Sequence, residues 1–311
     1  MRRMIPSLEV LRTGGKPAMA RALGLIETAD GEAELIRLLD DAACSPKGDV
    51  LGLTGPPGVG KSTLTNVLIS RTRASGKTVA VVAIDPSSQR TGGALLGDRT
   101  RLKTDPEDMG IFVRSMAARD RLGGLSDHAI AAIVLMRAVY DLVIVESVGV
   151  GQSEGDVAHV ADTLLLLVQP GSGDSLQFMK AGIMELPDLI AVTKADMGAA
   201  ATRAVADLEG TLTLQAGVDR RPQVLAVSSV AGDGLDRLAE ELEHFGDEAK
   251  RNGTFAQRRR AQGRIWFDDA IRRRFGSEGL AAITMPDSTS DAPFAAIAAA
   301  TMTLRQRLAL T

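Results

Sequence analysis

Among its 311 residues the chain has one cysteine, Cys44, and three histidines, His128, His159 and His244. A disulfide framework is excluded, and a Cys/His metal cluster nearly so; Cys44 reads as a plain helix-end residue. Aromatic residues are only 3% of the chain. That scarcity argues against stacking platforms for single-stranded nucleic acid, and it leaves the core to Val, Leu, Ile, Ala and Met. A net charge of −3 offers no general attraction to nucleic acid or to an anionic membrane. No apolar run approaches the ~18 residues of a membrane span. The basic opening Met1-Arg2-Arg3-Met4-Ile5-Pro6 has no apolar core or small-residue cleavage site behind it. Neither a nucleic-acid nor a membrane partner is expected, and the expected location is cytoplasmic.

What is present is an ordinary globular composition, 45% hydrophobic and 24% charged, organised around one stretch. It reads Gly55-Pro56-Pro57-Gly58-Val59-Gly60-Lys61-Ser62, with Thr63 behind it. An apolar run precedes it and a helix-compatible segment, residues 63–73, follows. Strand, glycine-rich turn and helix N-terminus are the context of a phosphate-binding P-loop. The glycines let backbone N–H groups turn inward as a nest for phosphate oxygens, and the helix N-terminus adds partial positive charge. Lys61 would reach the β- and γ-phosphates, and the Ser62 hydroxyl would serve Mg²⁺. A nucleoside triphosphate is the expected ligand.

From residue 50 onward, short continuous apolar runs recur at residues 50–54, 78–84, 111–114, 142–146, 163–168, 189–193 and 224–227. Runs without polar alternation suit strands covered on both faces. Helical segments lie between most of them, notably 129–138 and 175–185, so an α/β fold with a doubly wound, mostly parallel sheet is predicted. Residues 18–27 and 33–43 have helical spacing, and the chain turns helical again after about residue 246. The expected organisation is a helical extension over 1–47, a nucleotide-binding domain over 48–246 and a helical region over 247–311. The arginine-rich segment 255–275 carries an apolar stripe at Ile265, Trp266, Phe267, Ile271 and Phe275, the pattern of a packing helix with a solvated face. Residues 286–293 read as a loop. Residues 295–310 form a final helix whose apolar positions, Ile297, Met302, Leu304 and Leu308, suit dimerisation.

Three further motifs complete the chemistry. Asp85 ends a buried strand beside the P-loop, where it would hold a Mg²⁺-bound water or orient the attacking water. Asp98, within a glycine-flanked stretch, is a second candidate near the metal, and Arg99 or Arg101 could stabilise transition-state charge. The run Leu142-Val143-Ile144-Val145-Glu146 is a Walker B arrangement in which Glu146 stands in the metal's outer shell. Lys61, Asp85 and Glu146 are thus the candidate catalytic residues, and Ser62, Asp85, Asp98 and Glu146 the candidate metal set. Thr193-Lys194-Ala195-Asp196 follows another strand run. Its carboxylate can accept from guanine N1–H and the exocyclic amine, a donor pair that adenine lacks. Ser228, Ser229 and Val230, after the next strand, are placed to reach guanine O6 through backbone N–H groups. GTP is therefore favoured over ATP.

These residues resemble the methylmalonyl-CoA mutase-associated GTPases, the MeaB/ArgK family, over residues 16–245. GPPGVGKST, AIDPSSQRTGGALLGDRTR, LVIVESVGVGQSE and LLLLVQPGSGDSLQFMKAGIMELPDLIAVTKAD carry the likeness, with the helix AMARALGLIE. The resemblance implies a slow, partner-stimulated, dimer-forming GTPase that uses Mg²⁺. It implies a chaperone for an adenosylcobalamin-dependent acyl-CoA mutase, coupling hydrolysis to cofactor loading, protection or rescue. It also assigns residues 169–180 to a switch that communicates with the mutase. Family members commonly have Asn where this chain has Thr193.

A metallochaperone GTPase is the first alternative, but it wants a Cys- or His-rich segment that this chain lacks. A P-loop kinase, the second, needs an acceptor pocket and a base with no clear signature here. The guanine assignment is tested by competition: the protein with Mg²⁺ binds GTP more tightly than ATP. Equal affinities would remove Asp196 from base recognition.

Overall fold

Seven strands carry the fold: β1 (Asp49–Thr54), β2 (Val79–Asp85), β3 (Ile111–Ala117), β4 (Leu142–Glu146), β5 (Thr163–Val168), β6 (Leu189–Val192) and β7 (Gln223–Ala226). The computed structural model describes residues 5–85, 102, 104–117, 125–147, 153–171, 186–214, 221–286 and 291–308, with the backbone alone at Asp85, Ser153, Glu154 and Leu214. The strands pair in parallel in the order β3-β2-β4-β1-β5-β6-β7. This is the doubly wound parallel sheet read from the apolar runs, with each strand within three residues of its expected bounds.

The runs lack polar alternation because both faces of the sheet are covered. Leu165 and Leu167 of β5 point into one core with Leu53, Ile144, Leu64 and Leu68. Leu166 and Val168, one residue out of phase, point into another with Ile190, Leu208 and Leu212, as the two-residue period of a strand requires. The first core is roofed by α4 (Lys61–Ala74) and by α8 (Leu235–Arg251), the second by α7 (Ala199–Leu214). Two carboxylates, one buried at Asp162 and one half-buried at Asp188, fix where two strands begin. Asp162 Oδ2 accepts the Val50 N–H at 2.8 Å, and Asp188 Oδ2 accepts that of Leu164 at 2.8 Å. The short helix α6 (Ser153–Asp156) lies between β4 and β5.

The chain divides into two compact units. One, Asp49–Ser126 with Leu142–Asn252, holds the sheet. The other gathers Met1–Gly48, Asp127–Asp141 and Gly253–Thr311, so the two terminal segments, read separately in the sequence, share a unit with a helix from mid-chain. That helix is α5 (Asp127–Arg137), buried along its length from Ala129 to Arg137. A helix apolar on all sides needs cover on all sides, and α2 (Gly15–Thr28) and α3 (Ala33–Cys44) pack on it. The short α1 (Leu8–Thr13) precedes them. In the same unit α9 (Thr254–Ala281), interrupted at Gly276 by a left-handed φ of 72°, packs on α10 (Pro293–Arg307) through Phe267, Ile271, Ala296, Ala300 and Leu304. The apolar stripe read on residues 255–275 thus faces a helical partner. Of the expected apolar positions on α10, Leu304 is buried, whereas Met302 and, just beyond it, Leu308 are exposed. Among the described residues no helix is long and apolar enough to cross a membrane. The helix expected at 175–185 lies outside the described residues.

Asp40 of α3 ties the two ends of this unit together. Its Oδ1 and Oδ2 accept the N–H groups of Phe294 (3.0 Å) and Ala295 (2.9 Å), capping α10 in the manner of an N-cap side chain. Burial pushes the carboxyl pKa up to about 6, outweighing the lowering effect of those two N–H groups. A carboxyl whose folded pKa lies above the ordinary 3.8 binds its proton more tightly in the folded chain. Its contribution to stability is therefore full below about pH 4 and is lost as pH rises to about 6. Asp40→Asn removes that slope, so its thermal midpoint changes less between about pH 4.5 and 7.5 than the parent chain's. Identical changes would show that Asp40 does not titrate in this window.

Candidate functional site

The loop from β1 to α4 turns on three glycines with left-handed φ: Gly55 at 143°, Gly58 at 76° and Gly60 at 104°. Gly55 is doubly constrained, because a Cβ there would lie 2.4 Å from the Leu167 carbonyl oxygen of β5. Only glycine lets the loop leave β1 at that angle and pass so close to β5. Val59 is buried and anchors the loop tip, while Gly60 caps α4. Lys61, the first residue of α4, is 8% exposed. Its Nζ donates to the carbonyls of Gly55 (2.7 Å) and Pro56 (3.1 Å). The cation is thereby held along the inner edge of the phosphate loop.

Glu146 ends β4, opposite Leu53 of β1 on one side and Ala83 of β2 on the other. This register delivers the carboxylate to the first turn of α4. The Ser62 hydroxyl donates to Oε1 at 2.7 Å and the Thr65 hydroxyl to Oε2 at 3.2 Å. Next to it, Ser147 donates its N–H to Leu53 O (3.0 Å) and its hydroxyl to Thr54 Oγ1 (3.3 Å). The backbone of Asp85 ends β2, two residues past the Ala83–Glu146 level. Asp98, Arg99, Arg101, Gln152 and residues 172–180 of the expected switch lie outside the described residues. Among the described residues no three His, Cys, Asp or Glu side chains cluster as a metal cage. The donor chemistry that is present, a helix-start hydroxyl beside a strand-end carboxylate, is the hard oxygen set that Mg²⁺ takes, with few protein ligands.

The base-reading turn is fastened to the phosphate loop directly. Thr193, buried at the end of β6, donates its N–H to Val168 O (2.8 Å). Its hydroxyl lies 2.8 Å from Val59 O in the phosphate loop and 3.2 Å from Val168 O. A threonine is therefore sufficient to tie β6 to the loop. Lys194 has φ 56°, the one left-handed non-glycine among the described residues, and its Nζ donates to Gln169 Oε1 at 2.6 Å. Asp196 sits in a 3₁₀ turn, exposed, with Oδ1 accepting the Ser228 hydroxyl at 2.6 Å. That bond holds the Asp196 carboxyl below its usual pKa, so it is an ionised acceptor at neutral pH. Ser228 itself is buried; its N–H is committed to Asp233 O (2.9 Å) and its Oγ accepts from Ala231 N (3.0 Å). Of the three residues expected to offer backbone N–H groups to the base, Ser228 thus works through its side chain. Ser229 lines the phosphate-side cavity, and Val230 is 89% exposed.

A cavity of about 950 Å³ runs along this edge, lined in part by Pro57, Gly60, Lys61, Ser62, Glu146 and Ser229. Thr63 lies on its wall and is exposed. Thr65, Ser147 and the Ser228 hydroxyl were not singled out from the sequence. Thr65 alone had a readable signal, standing three residues after Ser62 on the same helical face.

A phosphate loop with its lysine and serine, a strand-end carboxylate on that serine, and a Thr-Lys-Ala-Asp turn after β6 are the parts of a P-loop GTPase. Residues 19–282 match the family model described as methylmalonyl Co-A mutase-associated GTPase MeaB, and the chain belongs to that family. It is 36% identical over 268 residues to the GTPase ArgK of Escherichia coli K12, covering 84% of this chain and 81% of that one. To the mouse protein named methylmalonic aciduria type A homolog, mitochondrial, it is 36% identical over 226 residues, 71% of this chain and 54% of the other. The crystal structure of a LAO/AO transport system kinase superposes with a TM-score of 0.67 at 26% identity, covering 96% of both chains. Like its family, the chain is a GTPase that converts GTP and water to GDP and phosphate.

The two ties at the base-reading end make separable predictions. Asp196→Ala lowers GTP affinity by about 100-fold, since a charged acceptor of two hydrogen bonds is lost. Ser228→Ala lowers it by about 3- to 10-fold and has no further effect when Asp196 is already Ala. Fluorescent-nucleotide titration of the single and double variants measures both. Additive losses would show that Ser228 acts on the base independently of Asp196.

Proposed function

We propose that this GTPase is a chaperone for an adenosylcobalamin-dependent acyl-CoA mutase, coupling GTP binding and hydrolysis to cofactor loading, protection or rescue. The observation that carries the reading is the family match over residues 19–282, whose description names the mutase association. The name of the mouse relative supports it. In this reading the residues of the loop 55–63 hold the phosphates, Lys61 neutralises charge on the β- and γ-phosphates, and Asp196 reads guanine with Ser228 behind it. Ser62 is the protein's hydroxyl ligand for Mg²⁺ and Glu146 the acid behind it, with Asp85 and Asp98 as the further candidates of the metal set. When bound, the ion would spread the charge of the transferring phosphoryl group. The protein works as a homodimer in the cytoplasm, and the exposed Met302 and Leu308 at the end of α10 are apolar surface that a second copy would cover.

A phosphotransferase reading draws on the name of the solved relative, a transport system kinase. One experiment separates the two. The chain is mixed with a purified adenosylcobalamin-dependent acyl-CoA mutase; co-elution and a changed GTP hydrolysis rate are expected. Lys61→Ala abolishes the hydrolysis without abolishing the fold. No mutase binding, together with phosphate transfer from nucleotide to a defined acceptor, would replace the chaperone reading by the kinase one. Unchanged turnover in Lys61→Ala would assign the measured activity to another protein.

A further inference from the structure

Helical serines and threonines in this chain have a habit. Thr13, Thr28, Ser70, Thr202, Thr213 and Thr303 each donate the hydroxyl to the carbonyl four residues earlier, the usual local solution for such side chains. Thr65 does not. Although fully buried in α4, it turns its hydroxyl 3.2 Å from Glu146 Oε2, at the end of a strand 81 residues later. The other oxygen of the same carboxylate, Oε1, takes the Ser62 hydroxyl at 2.7 Å. Ser62 and Thr65 are three residues apart and share a helical face, so they grip the two oxygens of one carboxylate from one side.

We infer that Thr65 is a positioning residue for nucleotide-bound Mg²⁺, acting through Glu146 on the Ser62 hydroxyl. A hydroxyl that donates its proton to Oε1 has its lone pairs turned away from the carboxylate. Their direction is therefore set by where Oε1 stands. Glutamate has one more rotatable bond than the aspartate usual at a Walker B strand end, and that extra freedom would blur the position of Oε1. The Thr65 bond to Oε2 removes it. The longer acid and the buried threonine are parts of one device: the arm reaches far enough to meet two hydroxyls, and the second hydroxyl stops it swinging.

The inference rests on the magnesium assignment made under the proposed function, and its test separates the two. The readout is the ratio of GDP dissociation constants in EDTA and in Mg²⁺, measured with a fluorescent GDP on the full chain. For the parent chain Mg²⁺ tightens GDP. In Thr65→Val, nearly the same shape without the hydroxyl, that gain shrinks by about 3- to 10-fold, of the order of one lost hydrogen bond, while the affinity in EDTA stays within about twofold. Thr65→Ser, which keeps the donor, restores the gain. In a Glu146→Asp background, where the shorter arm does not reach both hydroxyls, Thr65→Val adds nothing. A purely structural Thr65 would lower the melting temperature yet leave the Mg²⁺ gain intact, and that result overturns the inference, as would an equal effect of Thr65→Val in both backgrounds. If the parent chain itself binds GDP equally with and without Mg²⁺, the magnesium assignment falls and takes this inference with it.

Discussion

Strand β1 is hydrogen-bonded on both sides, to β4 with Leu53 opposite Glu146 and to β5 with Thr54 opposite Leu166. The nucleotide site hangs from that double register. It sets the height at which the phosphate loop leaves the sheet, the level at which Glu146 meets the first turn of α4, and the closeness of Gly55 to the Leu167 carbonyl. A slip of one residue on either side would exchange every core-facing side chain for its neighbour. The close packing of both faces, with Leu165 and Leu167 in one core and Leu166 and Val168 in the other, resists such a slip through side-chain shape, so the core fixes the chemistry's coordinates without contributing an atom to it.

Hydroxyl groups then make the fine adjustments. Ser62 and Thr65 hold Glu146, Thr193 holds the phosphate loop to β6, and Ser228 holds Asp196. Each is a neutral donor. Neutral donors of this kind fasten the site without changing its net charge. One such donor, the Thr193 hydroxyl reaching Val59 O, is enough to join the end of β6 to the loop.

Much of this was legible in the sequence, for identifiable reasons. The seven strands were readable because a sheet covered on both faces demands uninterrupted apolar runs. The phosphate loop and the base-reading turn were readable because their chemistry needs fixed spacing within a few residues. What could not be read were ties between distant segments. The partners Thr65 and Glu146 are 81 residues apart, and Thr193 and Val59 are 134 apart; packing, not spacing, brings them together. For the same reason the sequence separated the terminal helices into two regions. Their common partner α5 lies in the middle of the chain, and nothing local to residues 127–137 announces which helices will cover them.

The capping of α10 by Asp40 joins residues 254 positions apart in sequence. A ribosome adding about 5 to 20 residues per second makes Asp40 roughly 13 to 50 s before it makes Phe294. The sheet-bearing unit, by contrast, has its last residue, Asn252, in place before α9 begins. The unit built from residues 1–48, 127–141 and 253–311 therefore closes later in synthesis than the sheet-bearing one. Until then α3 waits with the face that α10 covers exposed, a period in which transiently uncovered apolar surface invites aggregation.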